Sequence, residues 1–176
     1  LSLHDALPIC GPLPTNRDKF FDNPNLAKRR MNNSDPYAIY IAFNVKKMPC
    51  LEVRQAMYYA RNAKALLDYA GGPKFAGSYA TGVISPLVAT DFAPTKVVGP
   101  GSPDFKPEGN VEKAKQLLEI AKTKCPAEYK HATEDGITFD VRQSVAPNDT
   151  IPINEAAYPR AGIKVKFNII MSGYYS

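Results

Sequence analysis

Tryptophan is absent from this 176-residue chain, histidine occurs twice and cysteine three times. The cysteines, Cys10, Cys50 and Cys125, are scattered and form no Cys-x-x-Cys pair, so neither a zinc ribbon nor a thioredoxin-type redox centre is expected. There is no His-Glu-x-x-His and no Gly-x-Ser-x-Gly. Gly99-Pro100-Gly101-Ser102 lacks both the spacing and the lysine that a phosphate cradle needs. Long apolar runs are missing too. The longest stretch without a charge, Phe75 to Thr90, is shorter than the roughly 20 residues of a spanning helix and is broken by Gly, Ser and Pro, so no transmembrane helix is expected.

What is present is an ordinary globular composition, 44% hydrophobic and 22% charged, which excludes collagen-like, coiled-coil and wholly disordered classes. The length suits one domain, or at most two very small ones. A compact chain of this size buries about 70% of its unfolded surface and needs no disulfide to form a core. Scarce cysteine is therefore compatible with secretion. Twenty-two basic against 17 acidic residues leave a net charge of +5, a balance that permits contact with nucleic acid or anionic lipid without establishing it. Sixteen prolines predict rigid, turn-rich connections.

Residues 1–11, LSLHDALPICG, read as a non-native leader, similar to a translated sequencing adapter. The string is too short for a signal peptide and carries His4 and Asp5 inside its apolar run. Leu7-Pro8-Ile9-Cys10 superficially resembles a lipoprotein cleavage box, but Ile9 is not small and no long apolar segment precedes it. Residues 12–35 read as a polar linker containing the charge run Lys28-Arg29-Arg30, and residues 36–176 as the folded part.

Within that part the apolar run Tyr37 to Val45 (YAIYIAFNV) predicts a buried strand. Leu51 to Tyr69 predicts a helix with Val53, Met57, Ala60 and Lys64 on one stripe, widened by Ala56, Ala63 and Leu67, with Glu52 in its first turn and Gly71-Gly72-Pro73 as its stop. Phe75 to Thr90 reads as an irregular loop, and the proline-rich Phe92 to Pro107 as extended chain. Asn110 is a candidate N-cap for a helix from Val111 to Thr123, whose buried face is Ala114, Leu117, Leu118 and Ala121. Ile137 to Val145 alternates as a half-buried strand should. Pro152 opens a short helix that Pro159 ends, and Ile163 to Ile170 is a further strand. The order indicates a mixed α/β domain, a sheet with flanking helices.

Chemistry for catalysis is not evident, so the chain does not read as an enzyme, and no cofactor or metal site is expected. His131 lies in a charged stretch and reads as a surface residue, and Glu134-Asp135 as turn chemistry. The aromatics are more informative. Tyr37, Tyr40, Phe43, Tyr58, Tyr59, Tyr69, Phe75 and Tyr79 are mostly core candidates, yet a tyrosine at a strand end also offers an apolar face and a hydroxyl to a ligand.

Several of these segments together carry a family resemblance. The run from Tyr40 to Pro49 is an aromatic strand ending in Asn44 and a Pro. It is followed by Val53-Arg54-Gln55-Ala56 and Tyr59-Ala60. Thr81 to Val88 supplies a proline-containing turn, Asn110 to Leu118 (NVEKAKQLL) a helix start, and Ala161-Gly162-Ile163-Lys164-Val165 the approach to a strand. In this order they resemble the family 5 extracellular solute-binding proteins of ABC importers, the peptide, oligopeptide and nickel binders. Asn62-Ala63 stand where the family has Asp-Arg, Cys50 where it has Phe or Leu, and Pro152 and Pro159 interrupt a helix that is long in the family.

The resemblance implies an incomplete second lobe of a periplasmic-binding-protein-like fold (type II, cluster C). It implies a substrate-binding component that captures peptides outside the cytoplasmic membrane, at its periplasmic or extracellular face, and delivers them to ABC permease subunits. It implies a first lobe and a lipid-attached N-terminus upstream. Tyr37, Tyr40 and Asn44 are then expected to line a ligand cleft, with Tyr79, Thr81 and Ser85 from the following loop. The alternatives are the same fold with another solute, a nickel chelate or an oligosaccharide, or a basic nucleic-acid-binding module built on Lys28, Arg29, Arg30, Lys46 and Lys47.

Overall fold

A computed structural model describes residues 17–29, 40–82, 84, 99–142 and 145–171. The helices are α1 (Arg17–Phe21), α2 (Leu51–Ala60), α3 (Ala63–Tyr69), α4 (Pro73–Ala76), α5 (Val111–Lys124), α6 (Pro126–Lys130) and α7 (Val145–Ala157). The strands are β1 (Ile137–Arg142) and β2 (Val165–Ile170). Among the described residues no helix is long and apolar enough to cross a membrane.

The chain divides into two units, one of Leu1–Asp35 with Leu67–Ser78 and one of Pro36–Leu66 with Tyr79–Ser176. In the first, residues 17–29 lie within the stretch read from sequence as a polar linker. They form α1 and a 3-10 turn, Pro24–Arg29. Phe21 meets Phe75 edge to face at 4.9 Å, and the Lys74 ammonium lies 2.7 Å from Asp22 and 3.4 Å from Asp18. These ion pairs raise the Lys74 pKa, Asp22 most strongly.

In the second unit the core forms where α2 packs on α5. The buried stripe of α2 is Val53, Ala56, Met57 and Ala60, and α5 answers with the expected Ala114, Leu117, Leu118 and Ala121. Four of these eight are alanines, so the two backbones approach closely. The Asn110 side chain caps α5, accepting from Lys113 N–H at 3.2 Å and donating to Asp104 O at 2.9 Å. Its own N–H donates to Tyr59 O at 2.7 Å. Gly109 makes that junction possible: its φ is +92°, and a Cβ there would stand 3.0 Å from the carbonyl oxygens of Ala60 and Arg61.

Continuous helix from Leu51 to Tyr69 is not observed. It breaks at Arg61, whose ψ of 136° is extended, and restarts with Asn62 Oδ1 accepting from Ala65 N–H at 2.9 Å. An Asn side chain that satisfies the first-turn donors gives the chain a local alternative to continuing the helix. A disulfide, also unanticipated, joins Cys50 to Cys125 and ties the start of α2 to the end of α5. Beside it Lys124 Nζ bonds Glu52 Oε1 at 2.6 Å, which holds the Glu52 carboxyl below its usual pKa. Cys50 is buried.

The remaining core is a β1–α7–β2 unit. The strands pair in parallel, Ile137 opposite Val165 and Phe139 opposite Phe167, and the latter rings stack at 5.4 Å. Parallel pairing requires a crossover, which α7 supplies. Tyr158, fully buried, follows α7 and tilts against Phe139 at 5.5 Å. Two expectations change here. Helix α7 starts at Val145 rather than at Pro152, which sits inside it. The neighbouring strand is correspondingly shorter than Ile137 to Val145. A proline inside a helix removes one backbone donor and is tolerated where packing holds the flanking turns.

No strand forms over residues 40–45, and Tyr37 to Ile39 lie outside the described residues. Instead, a turn follows at Val45–Lys47. The Asn44 carbonyl accepts from Lys47 and Met48 N–H at 3.1 and 2.8 Å, and its side chain accepts from Lys46 and Lys47 N–H. Extended apolar sequence without a paired neighbour does not make a strand, and the Asx geometry of Asn44 turns the chain instead. In the segment expected to be extended, Gly99–Gly101 is a 3-10 turn.

Candidate functional site

An aromatic and glycine-rich cluster covers one face of α2. Tyr58 and Tyr59 are adjacent in sequence, and their rings meet edge to face at 5.0 Å. Each reaches the 99–102 turn by its hydroxyl. Gly99 N–H donates to the Tyr58 hydroxyl at 2.6 Å, and the Tyr59 hydroxyl lies 3.3 Å from the buried Ser102 Oγ. Burial pushes the Tyr58 phenol above its ordinary pKa, while the Gly99 N–H and the charge of Arg61 act in the opposite sense.

Gly99 holds the cluster together by having no side chain. Its φ is +58°, and a Cβ would collide with the Ala80 carbonyl oxygen and touch Thr81 Cα at 3.7 Å. The stretch from Tyr79 to Thr81 therefore lies directly on the Gly99 turn. The Tyr79 ring meets Phe105 at 5.4 Å, edge to face. Tyr58, Tyr59, Tyr79 and Phe105 are all half-buried, a surface of apolar faces with hydroxyls at the edges. Arg61, just after α2, has a buried Nε with no hydrogen-bond partner among the described residues.

Of the six residues expected to contact ligand, Tyr79 and Thr81 belong to this cluster. Tyr40 is 65% exposed, and the Asn44 side-chain oxygen is engaged in its turn. Tyr37 and Ser85 lie outside the described residues. Tyr58, Tyr59, Gly99, Ser102 and Arg61 were not singled out as ligand residues from sequence. The tyrosines looked like core because they share a helix with the buried stripe. Their exposure depends on the 99–105 segment, which is distant in sequence.

A separate hollow of about 190 Å³ lies between α5, α6 and the turn at Tyr158–Ala161, lined by Lys115, Leu118, Glu119, Tyr129 and Thr133 among others. It is smaller than the roughly 300 Å³ of the smaller small-molecule sites, and no expected ligand residue lines it. His131 is a surface residue 3.6 Å from Asp135, one turn on. Lys28, Arg29, Lys46 and Lys47 are exposed.

No family model matches the chain, and no curated protein matches it. Solved structures do. The chain superposes on "Clavulanic acid biosynthesis oligopeptide binding protein 2" with a TM-score of 0.51 and 22% identity, over 74% of this chain and 21% of that one. It superposes on "ABC transporter-associated periplasmic binding protein DppA from Helicobacter pylori in complex with peptide STSA" with a TM-score of 0.50 and 18% identity, over 94% of this chain and 28% of that one. At these identities the likeness is one of fold. The chain has the mixed α/β architecture of part of a periplasmic-binding-protein fold, and it spans about a quarter of the length of the structures it matches.

Proposed function

We propose that the chain is part of a second-lobe wall of a solute-binding component that captures peptides for an ABC importer. The observation that carries this reading is the fold likeness over 94% of the chain to a binding protein in complex with a peptide. The ordered motifs around Tyr40, Val53–Ala56, Thr81 and Asn110 point the same way. On this reading the chain catalyses nothing and needs no cofactor. It works outside the cytoplasmic membrane, a compartment in which the Cys50–Cys125 disulfide persists. On this reading the permease subunits receive the closed, loaded form.

Tyr40, Tyr79 and Thr81 then contact the peptide, with Asn44 offering its amide nitrogen, and Tyr37 and Ser85 completing the wall. Tyrosine suits an extended peptide because its ring stacks along the backbone while its hydroxyl bonds to carbonyl groups. A single wall makes about half the contacts of a closed cleft, so this chain alone binds in the millimolar range, about 4 kcal/mol.

The test is a titration of the isotopically labelled chain with tri- to pentapeptides, read by NMR shifts. The expected result is saturable shifts at Tyr40, Tyr79 and Thr81 at millimolar peptide. Shifts absent at saturating peptide, or scattered over α5 and β2, refute peptide as the solute. The same titration with a nickel chelate, an oligosaccharide and a single-stranded oligonucleotide discriminates the alternatives.

A further inference from the structure

We propose that Cys50, Glu52 and Cys125 form a zinc site that is open only when the disulfide is reduced. This inference stands apart from the peptide reading and does not depend on it. The two sulfurs and one Glu52 carboxylate oxygen all lie within 4.8 Å of one another. Cys50 Sγ and Glu52 Oε2 are 3.6 Å apart. Ligand atoms on a tetrahedral zinc, with Zn–S of about 2.3 Å and Zn–O of about 2.0 Å, are separated by about 3.5 Å. The Cys50–Glu52 pair is thus already spaced for the metal, and reduction frees Cys125 Sγ to move to the third position. Water takes the fourth.

The surroundings favour a divalent cation. Cys50 is 7% exposed and the Glu52 side chain 13%. Two thiolates and a carboxylate in such a place carry three negative charges against the positive charges of Lys124 and Arg54, a net negative charge that attracts a divalent cation. Glu52 Oε1 is held by Lys124 Nζ at 2.6 Å. The carboxylate is therefore oriented by one oxygen while the other faces sulfur, the outer-shell arrangement that fixes metal ligands. Cys50 also stands at the N-cap of the ten-residue α2, where the helix favours an anion.

The chemistry balances with an external thiol or phosphine reductant. Two electrons and two protons convert the Cys50–Cys125 disulfide to two thiols; a thiol reductant leaves as its own disulfide, while a phosphine takes oxygen from a water molecule, whose two protons go to the thiols, and leaves as its oxide. Zinc binding then releases the two thiol protons and sheds all but one of the ion's hydration waters, forming two Zn–S bonds and one Zn–O bond to Glu52 while the retained water stays as fourth ligand. The disulfide and the zinc thiolate are mutually exclusive, so the reductant decides which one clasps α2 to α5.

The test uses the whole chain carrying Cys10→Ser, so that the pair at Cys50 and Cys125 is the sole source of thiolate. It is reduced with a phosphine and titrated with Co²⁺, then with Zn²⁺, while far-ultraviolet circular dichroism follows the helices. The expected result is one equivalent of Co²⁺ with thiolate charge-transfer and tetrahedral absorption, bleached by Zn²⁺. The unreduced chain should take up none. Cys125→Ser should abolish the charge-transfer signal of the site, and Glu52→Gln should weaken binding at least about tenfold. A reduced, folded chain that binds no Co²⁺ overturns the proposal, as does a signal unchanged by Cys125→Ser or by Glu52→Gln. If reduction melts the helices, zinc must restore them, and failure to do so equally overturns it.

Discussion

Gly99 donates its N–H to the hydroxyl of Tyr58 at 2.6 Å, across 41 residues of sequence. One bond thus couples the outer face of α2 to the turn on which the Tyr79–Thr81 stretch rests. Removing the hydroxyl tests that coupling. Tyr58→Phe should leave the Gly99 N–H without its partner and destabilise the chain by about 1–3 kcal/mol. Amide exchange at Gly99 should speed up by a comparable factor, while exchange in β1 and β2 stays near the native rate. A Gly99 amide as protected as before would show that the bond is not what anchors the turn.

The disulfide closes a span of 75 residues. By the chain-entropy relation a loop of that size restricts the unfolded state by about 4.5 kcal/mol, and measured values are commonly about 2–4 kcal/mol. The double variant Cys50→Ala/Cys125→Ala should lose stability on that scale in urea titrations. Parallel titration of native chain under reductant, without metal, should give a similar loss. An effect under about 0.5 kcal/mol would mean that α2–α5 packing alone secures this end of the core.

Two glycines with similar φ separate strain from crowding. Gly109 has φ +92° with backbone oxygens 3.0 Å from a would-be Cβ, whereas Gly162 has φ +83° with nothing within 4 Å. Gly162→Ala should cost only the backbone penalty, about 1–2 kcal/mol. Gly109→Ala should cost about 3 kcal/mol, because the α2–α5 junction must also part. Equal melting temperatures for the two variants would contradict the close approach at Gly109.

Tyr158 predicts an alkaline transition. Burial pushes its phenol up to about 12 from 10, so the folded state holds it neutral where the unfolded state ionises. The stabilisation is complete below about pH 10 and is lost as pH rises through about 12, amounting to about 3 kcal/mol. Tyr158→Phe lacks this linkage. The stability difference between the native chain and Tyr158→Phe should therefore shift in favour of the variant by about that amount between about pH 9.5 and 12. A constant difference across that window would mean Tyr158 ionises as freely folded as unfolded.

Helix α5 was readable because its information is local: a capping Asn, a 3.6-residue apolar period and 14 residues without Gly or Pro. The strand alternation around Phe139 and Phe167 was readable for the same reason. Tyr40 to Val45 misled, because β-branched and aromatic composition reports a tendency to be extended, not the presence of a neighbour to pair with. Pro152 misled in the other direction. Its local preference for a helix start did not set the boundary, because α7 already runs from Val145.

The amino-acid order by itself determined the class of fold, the α5 helix and its buried face, the alternation of both strands, and the family pattern that suggests a binding role. Tertiary structure alone decided the pairing of Cys50 with Cys125 beside Glu52 and the meeting of Tyr58 with Gly99. Those features depend on groups far apart in sequence being brought within a few ångströms. Local periodicity cannot encode such a juxtaposition, because it arises only when the α2 and α5 backbones pack against each other.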